Sequence, residues 1–201
     1  MGFDIDIITE VFKRLGKEFI FKDMSFSALI PEIQLGTIHI IAAGITPTPE
    51  RAKQALFTQP HLTGNPLLIV ALKNSAPIKN VHDLQGKEVA VNEGYISDSY
   101  MSTQKGIHLT RLSSDSITSG IMALKSGRAD AFVAAQHSLQ PYFSTFGTAD
   151  FQIIPIPDTE ETSAFAISKH YPHMRDLIQS TLDQMEADGT LTALKKKWNL
   201  L

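Results

Sequence analysis

No cysteine occurs anywhere in the 201 residues, so neither a disulfide framework nor a thiolate nucleophile is available. That absence fits any compartment. Charge is scarce as well: Asp, Glu, Lys and Arg make up 19% of the chain and leave a net charge of −3. Such a balance excludes the strong basic field that a nucleic-acid partner requires. No apolar run is long enough to cross a bilayer as a helix. The opening residues Met1 to Asp6 lack a charged stretch followed by an apolar one, so no signal peptide is visible, and they do not form a myristoylation site. The seven histidines show no HExxH or similar ligand spacing, so no metal and no other cofactor is expected. Of these histidines, His39 reads as structural at the start of a strand, and His170 and His173 flank Tyr171-Pro172 in a loop.

What remains is enough chain to bury a sizeable core, as one large domain or two small ones. One stretch stands out: Gly44-Ile45-Thr46-Pro47-Thr48-Pro49-Glu50-Arg51. It follows an apolar run, 38–43, that reads as a buried strand. Thr48 before Pro49 has the form of an N-cap with proline at the first helical position. Arg51 then falls in the first helical turn, where a cation opposes the helix dipole. The placement makes sense if Arg51 and nearby backbone N–H groups converge on an anion, since guanidinium is a planar two-pronged donor. The alternative is a solvated arginine on a surface helix.

In chain order, Ile5, Ile8, Val11, Phe12 and Leu15 share one face of an opening helix that Gly16 ends. A short strand is expected at 18–22, a helix at 25–35 with Gly36 as its stop, the strand at 38–43 and a helix at 49–56. Strands follow at 67–72 and 88–91. Beyond the second of these, Asn92-Glu93-Gly94-Tyr95-Ile96-Ser97 is another strand-to-helix turn, with glycine where the backbone bends. The alternation continues with a strand at 109–112, a helix at 116–126 and strands at 129–134, 151–156 and 163–167. Two closing helices break at Gly189. This alternation indicates α/β architecture built from βαβ units. No sequence-level repeat relates the two halves. Asp4 and Asp6 read as first-turn carboxylates that cap a helix rather than as an acid–base pair. Ser113-Ser114-Asp115-Ser116 reads as an N-cap cluster, and Lys195-Lys196-Lys197 as a cationic last turn.

Six segments occur in a telling order: Gly2-Phe3-Asp4-Ile5-Asp6, Phe26-Ser27-Ala28-Leu29-Ile30-Pro31, Gly44 through Arg51, Asp83-Leu84-Gln85-Gly86-Lys87, Gly127-Arg128-Ala129-Asp130-Ala131, and Asp188-Gly189-Thr190 through Lys197-Trp198. In that order the chain resembles, end to end, the solute-binding proteins of polar amino-acid ABC importers (bacterial solute-binding protein family 3). The resemblance implies a type II periplasmic-binding-protein fold, with two α/β lobes, each a mixed sheet flanked by helices. Two crossing hinge segments, near 61–65 and 159–163, would join them. Lobe one would comprise 1–62 and 162–201, and lobe two 63–161. It also implies a periplasmic or extracellular location and an ABC permease as partner.

Carried over residue by residue, the likeness makes Arg51 the group that binds a ligand α-carboxylate. Gly44 and Thr46 would contact the α-amino group and carboxylate through backbone or hydroxyl groups. Phe26 would pack on the ligand side chain, and Asn92 and Ile96 would contact it from lobe two. Asn92 both donates and accepts hydrogen bonds, which suits a polar ligand.

Three departures accompany the match. Family members usually carry, just after the strand at 129–134, an aspartate that pairs with the ligand ammonium. This chain has Ala135 there. A buried ammonium without counter-charge costs several kcal/mol, so either Glu93 or Glu161 substitutes, or the ligand lacks an α-amine. The usual Gly-Thr-Thr turn is Gly94-Tyr95-Ile96, without the hydroxyls expected to hold the carboxylate. The family's first strand is also missing, which implies an N-terminally shortened lobe one. A monomer is expected, with a swapped or strand-complemented oligomer as the alternative. The expected function is non-catalytic capture of a small polar amino acid or related carboxylate by ligand-induced lobe closure. The alternatives are a cyclohexadienyl-dehydratase-like enzyme on the same fold, or a sensor module that no longer binds amino acids.

Overall fold

The computed structural model describes residues 2–200. Its elements, in order, are α1 (Phe3–Leu15), a 3-10 turn at Phe26–Ala28, α2 (Leu29–Leu35), β1 (Ile40–Ile45), α3 (Pro49–Ala52), β2 (Leu56–Phe57), β3 (Leu62–Asn65) and β4 (Leu67–Leu72). They continue with a 3-10 turn at Val81–Leu84, β5 (Glu88–Asn92), α4 (Ile96–Ser102), β6 (His108–Leu112), α5 (Ile117–Lys125), β7 (Ala131–Ala135) and α6 (Gln136–Phe146). The last are β8 (Phe151–Pro155), β9 (Glu161–Ile167), α7 (Pro172–Ala187) and α8 (Thr190–Lys197). The chain is mixed α/β and divides into two compact units. The first is Met1–Met24, Ala28–Thr63 and Thr162–Leu201, and the second is Ser25–Ser27 and Gly64–Glu161.

In the first unit β9 lies between β1 and β2, antiparallel to both, and also pairs with β3. Helix α1 forms because its apolar residues recur on one face. Ile7, Ile8, Val11 and Phe12 are buried, and acidic and basic residues occupy the turns where the helix dipole favours them. That face packs with Phe165 and Ile167 of β9, with Ile178, Leu182 and Met185 of α7, and with Leu191 of α8. The helix ends where Gly16 takes a left-handed φ of 62° and its N–H caps the Lys13 carbonyl.

The second unit is a five-stranded mixed sheet ordered β6-β5-β7-β4-β8. β5 runs parallel to β6 and β7, whereas β4 is antiparallel to β7 and β8. Strands β4 and β7 are apolar throughout because both faces are covered. Along β4, Leu67, Ile69 and Ala71 enter one core, while Leu68 and Val70 enter the other.

Several elements differ from the sequence expectation. No strand forms at 18–22: residues 17–25 carry no regular structure. A strand needs a ladder partner, and no described strand pairs with this segment. Phe19 instead packs its ring on Phe12 and Phe21, both at 4.9 Å between centroids, and leaves Ile20 93% exposed. The helix expected over 49–56 is a single turn, because Leu56 and Phe57 leave it to pair with β9. Helix α6 was not anticipated. It contains Pro141, which removes one helical donor and argues against a helix in sequence reasoning.

Candidate functional site

In the first unit the candidate residues cluster around the end of β1. Gly44 has φ 62°, and the β1–β9 register shifts between Ile41 and Ile45. A side chain would be strained in that left-handed conformation. The resulting bulge re-aims the strand so that Ile45 is fully buried. Thr46 is then locked to β9: its Oγ1 donates to the Thr162 carbonyl (2.8 Å), and the Thr162 N–H donates to Oγ1 (3.3 Å). Thr48 caps α3 by accepting from the Arg51 N–H at 3.2 Å, with Pro49 at the first position. The Arg51 guanidinium, in a residue 9% exposed, donates from Nη1 to the Thr46 carbonyl at 2.8 Å. Gly44, Thr46 and Arg51 thus form one rigid corner.

Asp4 belongs to the same corner, which corrects its reading as a helix cap. Helix α1 has Gly2 at its N-cap position and no side-chain cap. The Asp4 carboxylate instead accepts from the Gly44 N–H at 2.7 Å with one oxygen and faces His61 Nε2 at 2.9 Å with the other. Asp6 also does not cap. It accepts from Lys197 Nζ (2.7 Å) and Trp198 Nε1 (2.9 Å), and these bonds hold its carboxyl below the usual value.

In the second unit the remaining candidates lie on strand ends and turns. Asn92, 1% exposed, ends β5 and donates from Nδ2 to the Ser114 carbonyl at 2.5 Å. Gly94 follows with φ 78°, and a Cβ there would meet the Ser27 backbone at 3.2 Å. Its N–H donates to Asp98 (3.0 Å), whose other oxygen accepts from Arg111 Nε (2.9 Å). Ile96 packs half-buried against the core below. Glu93 is exposed. Ala135, 5% exposed, ends β7 opposite Leu67 and is the N-cap residue of α6.

Phe26 stacks on Tyr95 with centroids 4.2 Å apart and planes at 29°. The Phe26 N–H donates to the Asp115 carboxylate at 3.0 Å. Burial, and then the charges of Asp115 and Glu161, push the Tyr95 phenol up to about 12, so it remains a protonated donor at neutral pH. Glu161 accepts from Asn65 Nδ2 at 2.7 Å, and Asn65 Oδ1 accepts from the His137 N–H at 2.8 Å. Asn65 therefore ties Glu161 to the first turn of α6, two residues beyond Ala135. A stacked aromatic pair with two carboxylates near it attracts cations.

Asn65, Tyr95, Asp115, Asp4 and His61 were not named as site residues from the sequence. Tyr95 carried a signal, since an aromatic replaces a small residue in a glycine turn. Asp115 was hidden inside a serine-rich capping pattern, and its neighbour Ser116 does cap α5 by accepting from the Thr118 N–H. The partners of Asp4, Asn65 and His61 lie many residues away in sequence, where no local pattern reports them.

Residues 1–200 match the family described as bacterial extracellular solute-binding proteins, family 3. The chain is 29% identical over 201 residues to the arginine-binding extracellular protein ArtP of Bacillus subtilis, covering 98% of this chain and 77% of that protein. It is 30% identical over 205 residues to the ABC transporter glutamine-binding protein GlnH of the same organism, covering 98% and 72%. An ancestral arginine-binding protein bound to arginine superposes with a TM-score of 0.90 at 31% identity, over 98% of this chain and 88% of that one.

Proposed function

The chain belongs to the bacterial extracellular solute-binding proteins, family 3, and from that premise we propose that it captures an amino acid with a cationic side chain for delivery to an ABC permease. The observation that carries this choice is the Phe26–Tyr95 stack accompanied by the Asp115 and Glu161 carboxylates. Such a surface favours guanidinium or ammonium over a neutral amide. Arginine-binding relatives support the same choice.

In this reading Arg51 takes the α-carboxylate, with Gly44 and Thr46 beside it. Glu161 supplies the ammonium counter-charge that Ala135 lacks, and Asn65 orients it. Glu161 is preferred to Glu93, which is exposed. Phe26, Tyr95 and Asp115 meet the ligand side chain, while Asn92 and Ile96 complete the lining. The protein works outside the cytoplasmic membrane, as a monomer and without catalysis.

Calorimetry of the whole protein against the twenty amino acids tests the proposal. Arginine or lysine should bind, and glutamine should bind more weakly. Tighter binding of a neutral amino acid would overturn the cationic choice. No binding at all would overturn amino-acid capture, and turnover of a prephenate-like or arogenate-like acid would replace it with an enzyme.

A further inference from the structure

We propose that Asp4 and His61 are a positioning pair for ligand binding: they hold the Gly44 peptide, and through it the Gly44–Thr46 corner, in its binding orientation. The inference rests on the reading of Gly44, Thr46 and Arg51 as ligand-binding residues. Neither Asp4 nor His61 touches the ligand in this account.

The geometry is specific. Gly44 breaks the ladder of β1, so its N–H has no regular place in the sheet, and a part-buried amide there needs another acceptor. Asp4 provides it at 2.7 Å, from the first turn of α1. The Asp4 side chain is 10% exposed, and its second oxygen needs a donor of its own. His61 supplies that donor. Its side chain is 1% exposed and its Nε2 lies 2.9 Å from Asp4 Oδ1. A carboxylate only accepts, so Nε2 carries the proton.

His61 is held on every side that matters. Its backbone N–H donates to the Ser163 carbonyl at 2.9 Å. Its ring lies over Phe165, with centroids 4.6 Å apart, and meets Phe3 edge-on at 5.9 Å. Nδ1 is buried and has no hydrogen-bond partner among the described residues. That orphan nitrogen makes the pair intolerant of rearrangement. If the ring changed tautomer, it would place an N–H where nothing accepts it. The pair therefore has one arrangement, with Nε2–H to Oδ1 and Oδ2 to the Gly44 N–H.

Asp4→Asn attacks this arrangement at its weak point. The amide accepts through one atom and donates through the other, so it cannot accept from both the Gly44 N–H and His61 Nε2–H. Either the Gly44 bond is lost or His61 must present Nδ1–H to a site without an acceptor. His61→Leu removes the donor but leaves Asp4, while His61→Gln keeps an N–H near the position of Nε2.

The test uses L-arginine as probe and two readouts. The ¹⁵N and amide-proton shifts of Gly44 report the carboxylate bond directly, and calorimetry reports affinity. In Asp4→Asn the Gly44 amide proton should move upfield and arginine affinity should fall about tenfold, the equivalent of about 1.4 kcal/mol. Should Asp4→Asn not fold, the His61 pair carries the same test: His61→Leu should lose affinity and His61→Gln should recover most of it. Arg51→Ala serves as control. If Arg51→Ala abolishes binding while Asp4→Asn and His61→Leu bind like the parent, the positioning inference is wrong and the ligand site stands. If Arg51→Ala itself binds like the parent, the site reading falls first.

Discussion

Arg51 offers the sharpest separation of ligand binding from folding. Replacing it with alanine removes the Nη1 bond to the Thr46 carbonyl but spares the backbone N–H that Thr48 caps. A lost charge-assisted hydrogen bond of this kind costs about 1.5–3 kcal/mol. Relief of a cation in the first turn of α3 returns about 0.3–1 kcal/mol. Together these two effects cost the apo protein about 0.5–2.7 kcal/mol, and each kcal/mol lowers Tm by about 2–4 °C in a chain of this size. The effect on binding is larger, because breaking a desolvated guanidinium–carboxylate pair costs about 3–5 kcal/mol. That corresponds to a loss of arginine affinity of about two to four orders of magnitude. Arg51→Lys should fall between parent and alanine, since it keeps the charge and loses the two-pronged fork. Calorimetry and thermal melting on the same preparations provide both numbers. A variant whose Tm falls by several degrees while its affinity stays within about threefold, or about 0.65 kcal/mol, would show Arg51 to be a strut of the corner and nothing more.

Two other perturbations probe the second unit. Gly120→Ala sets a helix-propensity gain of about 1 kcal/mol against overpacking. The new Cβ would lie 2.4–2.5 Å from three atoms of the fully buried Phe132 ring. Overpacking of that severity costs about 1–3 kcal/mol and should win, so chemical denaturation should show a loss that Phe132→Leu in the double variant partly restores. Burial depresses the His137 imidazole below its ordinary 6.5. The unfolded chain therefore binds its proton first, and stability should fall as pH drops below about 6.5 towards the folded value. His137→Gln should flatten that part of the profile relative to the parent and match it above neutrality. An unchanged profile would remove His137 from the account.

The fold was legible wherever one rule dominated. Leu67–Leu72 reads as a strand because its apolar run is short and β-prone, and it is buried on both faces. Helix α1 reads as a helix because its stripe and its stop at Gly16 agree. The misses came where tertiary context decided. The Phe19-Ile20-Phe21 alternation satisfies every local criterion for a strand, yet strands exist only in pairs. Helix α6 was not named at all: Pro141 carries a local cost within it, and the packing of Leu139, Tyr142 and Phe143 against the sheet outweighs that cost. At the candidate site, Arg51 was singled out because its position is poor for helix stability and therefore invites a second explanation. Asp4 was not, since a first-turn aspartate already has a sufficient local reason to be there.

The two units use one device although no sequence repeat relates them. In each, a strand runs into a glycine of positive φ, Gly44 at 62° and Gly94 at 78°. In each, that glycine's N–H is taken by an aspartate, Asp4 or Asp98. A second side chain then satisfies the aspartate, His61 in one unit and Arg111 in the other. The reason is common to both: a turn at which the chain departs from the regular ladder leaves an amide to be satisfied, and a carboxylate fixes it more firmly than water would. The two braces differ in wetness. The His61 side chain is 1% exposed, whereas that of Arg111 is 46% exposed. Water can replace Arg111 at Asp98 but has no comparable access to the Asp4–His61 pair. Rigidity at the proposed ligand residues therefore rests more heavily on the first unit, where Arg51, the proposed carboxylate anchor, also lies.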